Sequence, residues 1–196
     1  MARQRTRMKR QLTHGLLCSQ LVALLLTTSM MPATFAQTST AQGSASKNLL
    51  GDAAQAIGAK KCQAALARLG NIATYGSQRQ DILVDWDKQK PDSNPVFSML
   101  GASYPNGAVA ASVVAVPSAD GKGCSVLAER ISVAPFTCDS IAQAELANYR
   151  VTSLLPQFNV YTDPNDSNST VSLMSSPPGC LIIRRYVKFH WTEPKS

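Results

Sequence analysis

The sequence predicts an α+β domain: an antiparallel sheet of about five to seven strands, packed with an N-terminal helical segment and a second helix near 138–149. Three observations carry this expectation. The stretch from Asn48 to Tyr75 is rich in Ala, Leu, Lys and Gln, which favour helix. Two β-rich runs, Ala108 to Val116 and Cys124 to Val133, flank the loop Pro117-Ser118-Ala119-Asp120-Gly121-Lys122-Gly123, which is a hairpin signal. The order helix, strands, helix, strands lacks the strict alternation of a parallel sheet. No internal repeat is evident.

The chain begins with an export signal. Arg3, Arg5, Arg7, Lys9 and Arg10 precede a mostly apolar run, Leu16 to Leu26, too short to span a bilayer stably. Thr34-Phe35-Ala36 closes it with a small-x-small end, so residues 1–36 read as a secretory signal peptide cut after Ala36. Cys18 lies inside the apolar run rather than after it, which argues against a lipid anchor. Lys9-Arg10 is not the arginine pair of a twin-arginine signal. Residues 37–46 are small and polar without apolar period and read as a disordered leader. Residues 47–192 are expected to form a single disulfide-bonded domain. No second long apolar run follows, so no membrane span is expected after cleavage.

Five of the 19 basic residues and none of the 12 acidic ones lie in the signal, leaving 14 against 12. The basicity of the whole chain therefore belongs to export and is no argument for a nucleic-acid partner.

Within the domain, Leu50, Ala54 and Ile57 form one helical stripe; Cys62, Leu66, Leu69 and Ala73 form a second, out of phase across Gly58-Ala59-Lys60. A kink or two short helices is expected there. From Asp81 to Lys88, Ile82, Val84 and Trp86 alternate with polar residues, as in a half-buried strand. Val96 to Tyr104 is a second strand, and Pro105-Asn106-Gly107 turns the chain into the hairpin. Thr137 or Asp139 can cap a helix starting near Cys138. Val151 to Tyr161 reads as one strand interrupted by Pro156, Thr170 to Met174 as a short strand, and Cys180 to Phe189 as the last.

Cleavage leaves Cys62, Cys124, Cys138 and Cys180, an even number that in an exported chain predicts two disulfides. Path lengths favour Cys124–Cys180 with Cys62–Cys138. Helix 138–149 carries the chain back toward Cys124, and two further strands leave and return there. Cys62–Cys124 with Cys138–Cys180 is the alternative. Cys124–Cys138 is disfavoured, because a ten-residue strand separates its ends by ~30 Å.

Catalytic sets are poorly supplied. His190 is the one histidine of the mature domain, so Ser-His-Asp and Cys-His sets depend on a residue near a strand end. Asp85 and Asp87, two apart, are the pair a carboxylate-dependent hydrolase would use. Asp163-x-Asn165-x-Ser167-Asn168 resembles the opening of a calcium loop but lacks its glycine and has Met174 at the twelfth place, so it reads as an Asx-rich turn. Gly121-Lys122-Gly123 lacks the spacing of a phosphate loop, and Gly101-Ala102-Ser103-Tyr104 is not a nucleophile elbow. No catalytic residue, metal site or cofactor is assigned.

The last strand is the most informative. Leu181, Ile183, Val187, Phe189 and Trp191 share a face with Arg185, a cation on an apolar side. Glu129 is the matching anomaly among Leu127, Ile131 and Val133, so Glu129 and Arg185 are expected to pair across the sheet. The opposite face, with Arg184, Tyr186 and Lys188, is the candidate surface for an acidic partner.

Gly123-Cys124-Ser125, Cys138 opening a short helix, and Gly179-Cys180-Leu181-Ile182-Ile183-Arg184-Arg185 together resemble a group of small exported bacterial proteins of uncharacterised function, over about 60–190. The resemblance implies a periplasmic or secreted protein and transfers no catalytic residue. The expected function is a non-enzymatic binding or accessory protein of the bacterial cell envelope, with an envelope protein as partner. The alternatives are a small inhibitor acting through loop 117–123, or a carboxylate-dependent hydrolase.

Overall fold

The structure, a computed structural model, describes residues 48–121 and 123–193. The expected signal peptide and the leader over 37–46 lie outside the described residues.

Helical propensity in the first segment is realised as two helices. α1 spans Leu49–Ile57; the Asn48 side chain accepts the Gly51 N–H at its start, and Gly58, at φ 84°, ends it. α2 spans Gln63–Ala73. The break between them lets both apolar stripes, Leu50 and Ala54 on one and Leu66, Leu69 and Ala73 on the other, enter the same core.

Four strands follow as an antiparallel meander: β1 Arg79–Trp86, β2 Val96–Tyr104, β3 Gly107–Pro117 and β4 Cys124–Ala134. Thr137 accepts the Ser140 N–H and opens α3, Cys138–Glu145. A second meander then runs through β5 Arg150–Leu155, β6 Phe158–Thr162, β7 Ser169–Ser176 and β8 Gly179–Trp191. The eight strands form one sheet in the order β1-β2-β3-β4-β8-β7-β6-β5.

The strand count exceeds the expected five to seven because residues 151–161 are two strands, not one. Leu155 pairs with Phe158, and Pro156-Gln157 make the turn. Proline has no N–H for the ladder and its fixed φ suits a turn, so the chain reverses there instead of bulging.

That reversal also decides the disulfides. They join Cys62 to Cys124 and Cys138 to Cys180, with Cα separations of 5.8 and 5.1 Å. The favoured pairing, Cys124–Cys180, is overturned. Three legs, β5, β6 and β7, lie between α3 and β8 where two were expected. An odd number of legs delivers Cys180 to the far end of β4, opposite Ala134, while Trp191 lies opposite Cys124.

The topology repeats although the sequence shows no repeat. Each half is a helical segment followed by a four-stranded meander. Each half ties a cysteine at a helix start (Cys62 before α2, Cys138 opening α3) to the first residue of its fourth strand or the one after (Cys124, Cys180). A shift of 56 positions carries Gly123-Cys124 onto Gly179-Cys180 and Glu129 onto Arg185. Glu129 and Arg185 are also direct register partners, so the pseudo-twofold axis passes between them. The two glycines play matching parts. A Cβ on Gly123, which has φ 83°, would lie 2.5 Å from the Trp191 carbonyl oxygen; a Cβ on Gly179 would collide with that of Ala134.

All three helices pack on one face of the sheet. α1 and α2 bury Val96, Leu100, Val113 and Val126 of the first half, and α3 buries Val171, Leu173 and Ile182 of the second. Register places Ile182, Arg184, Tyr186 and Lys188 on this covered face. Leu181, Ile183, Arg185, Val187 and Phe189 are on the open one. Arg184, Tyr186 and Lys188 thus lie on the face that carries the helices, yet Lys188 is exposed and Arg184 and Tyr186 are half-buried rather than sealed in the core. Trp191 departs from the alternation. The β4–β8 register shifts between Cys124 and Val126, and this bulge turns Trp191, 6% exposed, into the core under the helices.

Three expected outcomes follow from this arrangement. Mass mapping of an unreduced digest yields peptides linked Cys62–Cys124 and Cys138–Cys180; a Cys124–Cys180 peptide would refute the topology. Replacing either pair by alanines lowers unfolding free energy in urea by about 4 kcal/mol, because each bridge closes a long loop. Gly179→Ala costs ~1–3 kcal/mol by the same assay, since the new methyl meets backbone that cannot yield. Gly101→Ala, whose Cβ meets nothing within 4 Å, is the silent control.

Candidate functional site

The two helical covers leave the seam between the half-sheets uncovered. Over it lies a cavity of about 570 Å³. Its floor is the covered face of β4, β8 and β7: Ala128 and Arg130, then Arg184, Tyr186 and Lys188, then Ser169 and Val171. Arg68, Leu69 and Ile72 of α2 form one wall, and Tyr149 and Asp163 the other; Trp191, turned inward by its bulge, is among the lining residues.

The floor is dense in cations for a local reason. Arg130 and Arg184 are direct cross-strand partners, an arrangement that like charges disfavour. Two neighbours relieve it. Glu145 at the end of α3 forms an ion pair with Arg184. Arg130 instead lies with its guanidinium 5.5 Å from the centre of the Tyr104 ring, within cation–π range. Among the described residues Arg68, Arg130 and Lys188 have no ion-pair partner, while Asp163 lines the space and the Asp166 carboxylate lies close enough to act on Tyr186 and Lys188. The field over the floor is thus positive.

Burial raises the Tyr186 phenol above its ordinary value of 10.0; the nearby Asp166 carboxylate adds to this and Arg68 opposes it. Asp166 itself is held below the usual carboxylate range by hydrogen bonds from Ser169 Oγ at 2.7 Å and Asn168 Nδ2 at 2.7 Å. Both bonds belong to the Asx-rich turn after β6, which aims Asp166 at its own backbone: Asn168 N also donates to it at 3.0 Å. Asp163 similarly accepts the Asn165 N–H, and the Tyr149 hydroxyl lies 3.4 Å from its other oxygen.

The remaining candidates lie elsewhere. Glu129 and Arg185 meet on the open face, Nε to Oε1 at 3.2 Å, but their side chains are 30% and 49% exposed. At that exposure the pair contributes about 0–1 kcal/mol, well short of a buried ion pair. His190 is exposed and has φ 51° at the bulge, and does not line the cavity. Asp85 and Asp87 do not share a strand face. Asp85 is exposed on the open face of β1, which ends at Trp86. Asp87 lies beyond it and accepts the Gln89 and Lys90 N–H groups and Asn94 Nδ2. These bonds, the Gln89 one foremost, hold its carboxyl below the usual range, the opposite of what a general acid needs. In loop 117–123 Lys122 is outside the described residues. No group of three metal-ligating side chains occurs among the described residues.

Arg68, Arg130, Glu145 and Tyr149 went unrecognised in sequence. A single arginine on a helix or strand, as Arg68 and Arg130 are, carries no local signal that sets it apart from a solvated residue. Only the register of β4 against β8 brings Arg130 beside Arg184. The covalent pairing of four cysteines fits an oxidising compartment, and among the described residues no helix is long and apolar enough to cross a membrane. The chain matches no known family, no curated protein and no solved structure.

The raised Tyr186 value has a definite sign. Folding favours the protonated phenol, so its contribution is intact below pH 10 and is lost as pH climbs through the higher folded value. Tyrosinate absorbance should show a late-titrating group that Tyr186→Phe deletes. An unchanged titration in that variant would mean the ring is not shielded.

Proposed function

We propose that this chain is a non-enzymatic binding or accessory protein of the bacterial cell envelope, periplasmic or secreted, that holds an acidic segment of a partner protein in the groove over β4 and β8. The observation that carries this reading is the floor: Arg130 and Lys188, with Arg68 on the wall, form no ion pairs among the described residues and stand beside Tyr186 in one concavity. Arg68 and Lys188 are exposed and Arg130 is half-buried, but all three border one concavity with low-dielectric walls, which focuses their field. Apolar lining from Leu69, Ile72, Val171 and Trp191 adds contact for apolar side chains of the same segment.

The paired disulfides and the cationic leader support the envelope, and the resemblance to small exported bacterial proteins is consistent with it. The hydrolytic alternative loses support because Asp85 and Asp87 point to different environments, one of them a loop cap. The inhibitor alternative rests on loop 117–123, and no observed feature favours it.

Fluorescence anisotropy with a labelled oligoglutamate peptide tests the groove, with oligoglutamine as the neutral control. Binding should appear only for the acidic peptide and weaken steeply with salt, because exposed charges are screened beyond ~8 Å at physiological ionic strength. Arg130→Glu and Lys188→Glu should each weaken it by about tenfold or more. Binding indifferent to both substitutions would place the acidic partner elsewhere.

A further inference from the structure

The open face of the sheet is apolar over most of its breadth. Leu83, Phe97, Met99, Val133 and Phe189 on it are each between 51% and 73% exposed, and Leu127, Ile131, Ile183 and Val187 lie between them. All three helices are on the other side, so no described helix covers it. Soluble proteins rarely leave so extended an apolar surface without a partner.

Its charges indicate which partner. One row of residues crosses all eight strands on this face: Leu83, Met99, Ser112, Glu129, Arg185, Thr170, Thr162 and Arg150. At its centre stand Glu129 and Arg185. At the β5 end stands Arg150. At the β1 end Leu83 is flanked on its own strand by Asp81 and Asp85, both exposed on this face. On this face Asp81, Asp85 and Glu129 outweigh Arg79 on the β1–β4 half, which is net negative, while Arg185 and Arg150 make the β8–β5 half positive.

We infer that this face is the interface of a homodimer, in which two sheets stack face to face about a twofold axis that lies parallel to the strands, over the β4–β8 seam. Such an axis sets β1 against the partner's β5 and β4 against the partner's β8. Glu129 then faces a second Arg185 and Arg185 a second Glu129. Arg150 falls between a second Asp81 and Asp85. An axis across the strands would instead set β1 on β1 and Glu129 on Glu129, juxtaposing like charges. The charge pattern thus selects the copy and its orientation together, and sheets stacked this way keep their strands within ~30° of alignment. Eight strands ~4.8 Å apart and about eight residues long offer ~900 Å² per protomer, the size of a standard stable interface. The inference does not depend on the groove, which opens on the opposite face and stays free in the dimer.

Sedimentation velocity on the exported, oxidised protein tests it. Wild type should sediment as a dimer of the mature chain. Glu129→Arg and Arg185→Glu should each be monomeric, their dimerisation weakened on the order of a hundredfold by like-charge contacts. Mixed in equal amounts, the two variants should form a heterodimer, since one then presents two cations at the seam and the other two anions. A charge pair acting only within one chain predicts no such rescue. Met99→Lys, at an exposed site, should also give a monomer, with circular dichroism and the absence of free thiol confirming the fold. A monomeric wild type, a mixture that stays monomeric, or a Met99→Lys variant that remains dimeric overturns the inference; in each case the face is met by another segment or another protein.

Discussion

The pairing of β4 with β8 is the constraint on which the molecule depends. These are the two fourth strands of two similar halves, 11 and 13 residues long, and among the described residues their ladder is the only strand pairing that joins one meander to the other. Each half is closed on itself by a disulfide between a helix start and the beginning of its fourth strand. The bridges therefore fix helices to strands, while the seam alone fixes half to half. The Glu129–Arg185 pair sits at the centre of that seam, but its exposure leaves it little net stabilising energy. Backbone hydrogen bonds and the close approach of Gly123 and Gly179 to the ends of the neighbouring strands hold the seam together.

The groove is a consequence of the same arrangement. Helices of one half cover β1–β4 and the short α3 covers β7 and β8, so neither reaches across the junction. A seam made of two apolar strands would leave that gap as an exposed hydrophobic trench. Here the covered face of the seam changes character along its length. It is Cys and Ile near the start of β8, then Arg184, Tyr186 and Lys188 where the helices part. Charge appears where cover ends, and long arginine and lysine stems can lie along apolar floor while their heads reach water.

Local order was legible in the sequence; long-range parity was not. The helical break at Gly58, the half-buried β1, the hairpin of β3 and β4, and the Thr137 cap follow from residues a few positions apart. The Glu129–Arg185 contact was legible too, because each is the odd charge in an apolar alternation and the two strands meet. What failed was counting. Leu155-Pro156-Gln157-Phe158 was read as an interruption of a strand, and one uncounted reversal exchanges the ends of every later strand. It thereby moved Cys180 from one end of β4 to the other. The groove was illegible for a related reason: its members come from α2, β4, β7, β8 and the segments flanking β5 and β6, and no local pattern links them.

The placement of the two faces of β8 has a physical meaning. Alternation along a strand says that the two sides differ; it does not say which side is wet. On β8 the more apolar side is open and the more charged side is on the helix-bearing face, in the gap between the helices, which for an isolated chain is the costly choice. The cost disappears if both surfaces are functional. A covered but unroofed cationic floor keeps access to water and to an acidic ligand, and an open apolar face with an antisymmetric row of charges finds its complement in another copy of itself. The pseudo-twofold axis between Glu129 and Arg185 makes this economical, because these two equivalent positions carry opposite charge. The charge reversal between the corresponding positions Glu129 and Arg185 thus serves both as the register mark within the chain and as the polarity that distinguishes one half of the face from the other.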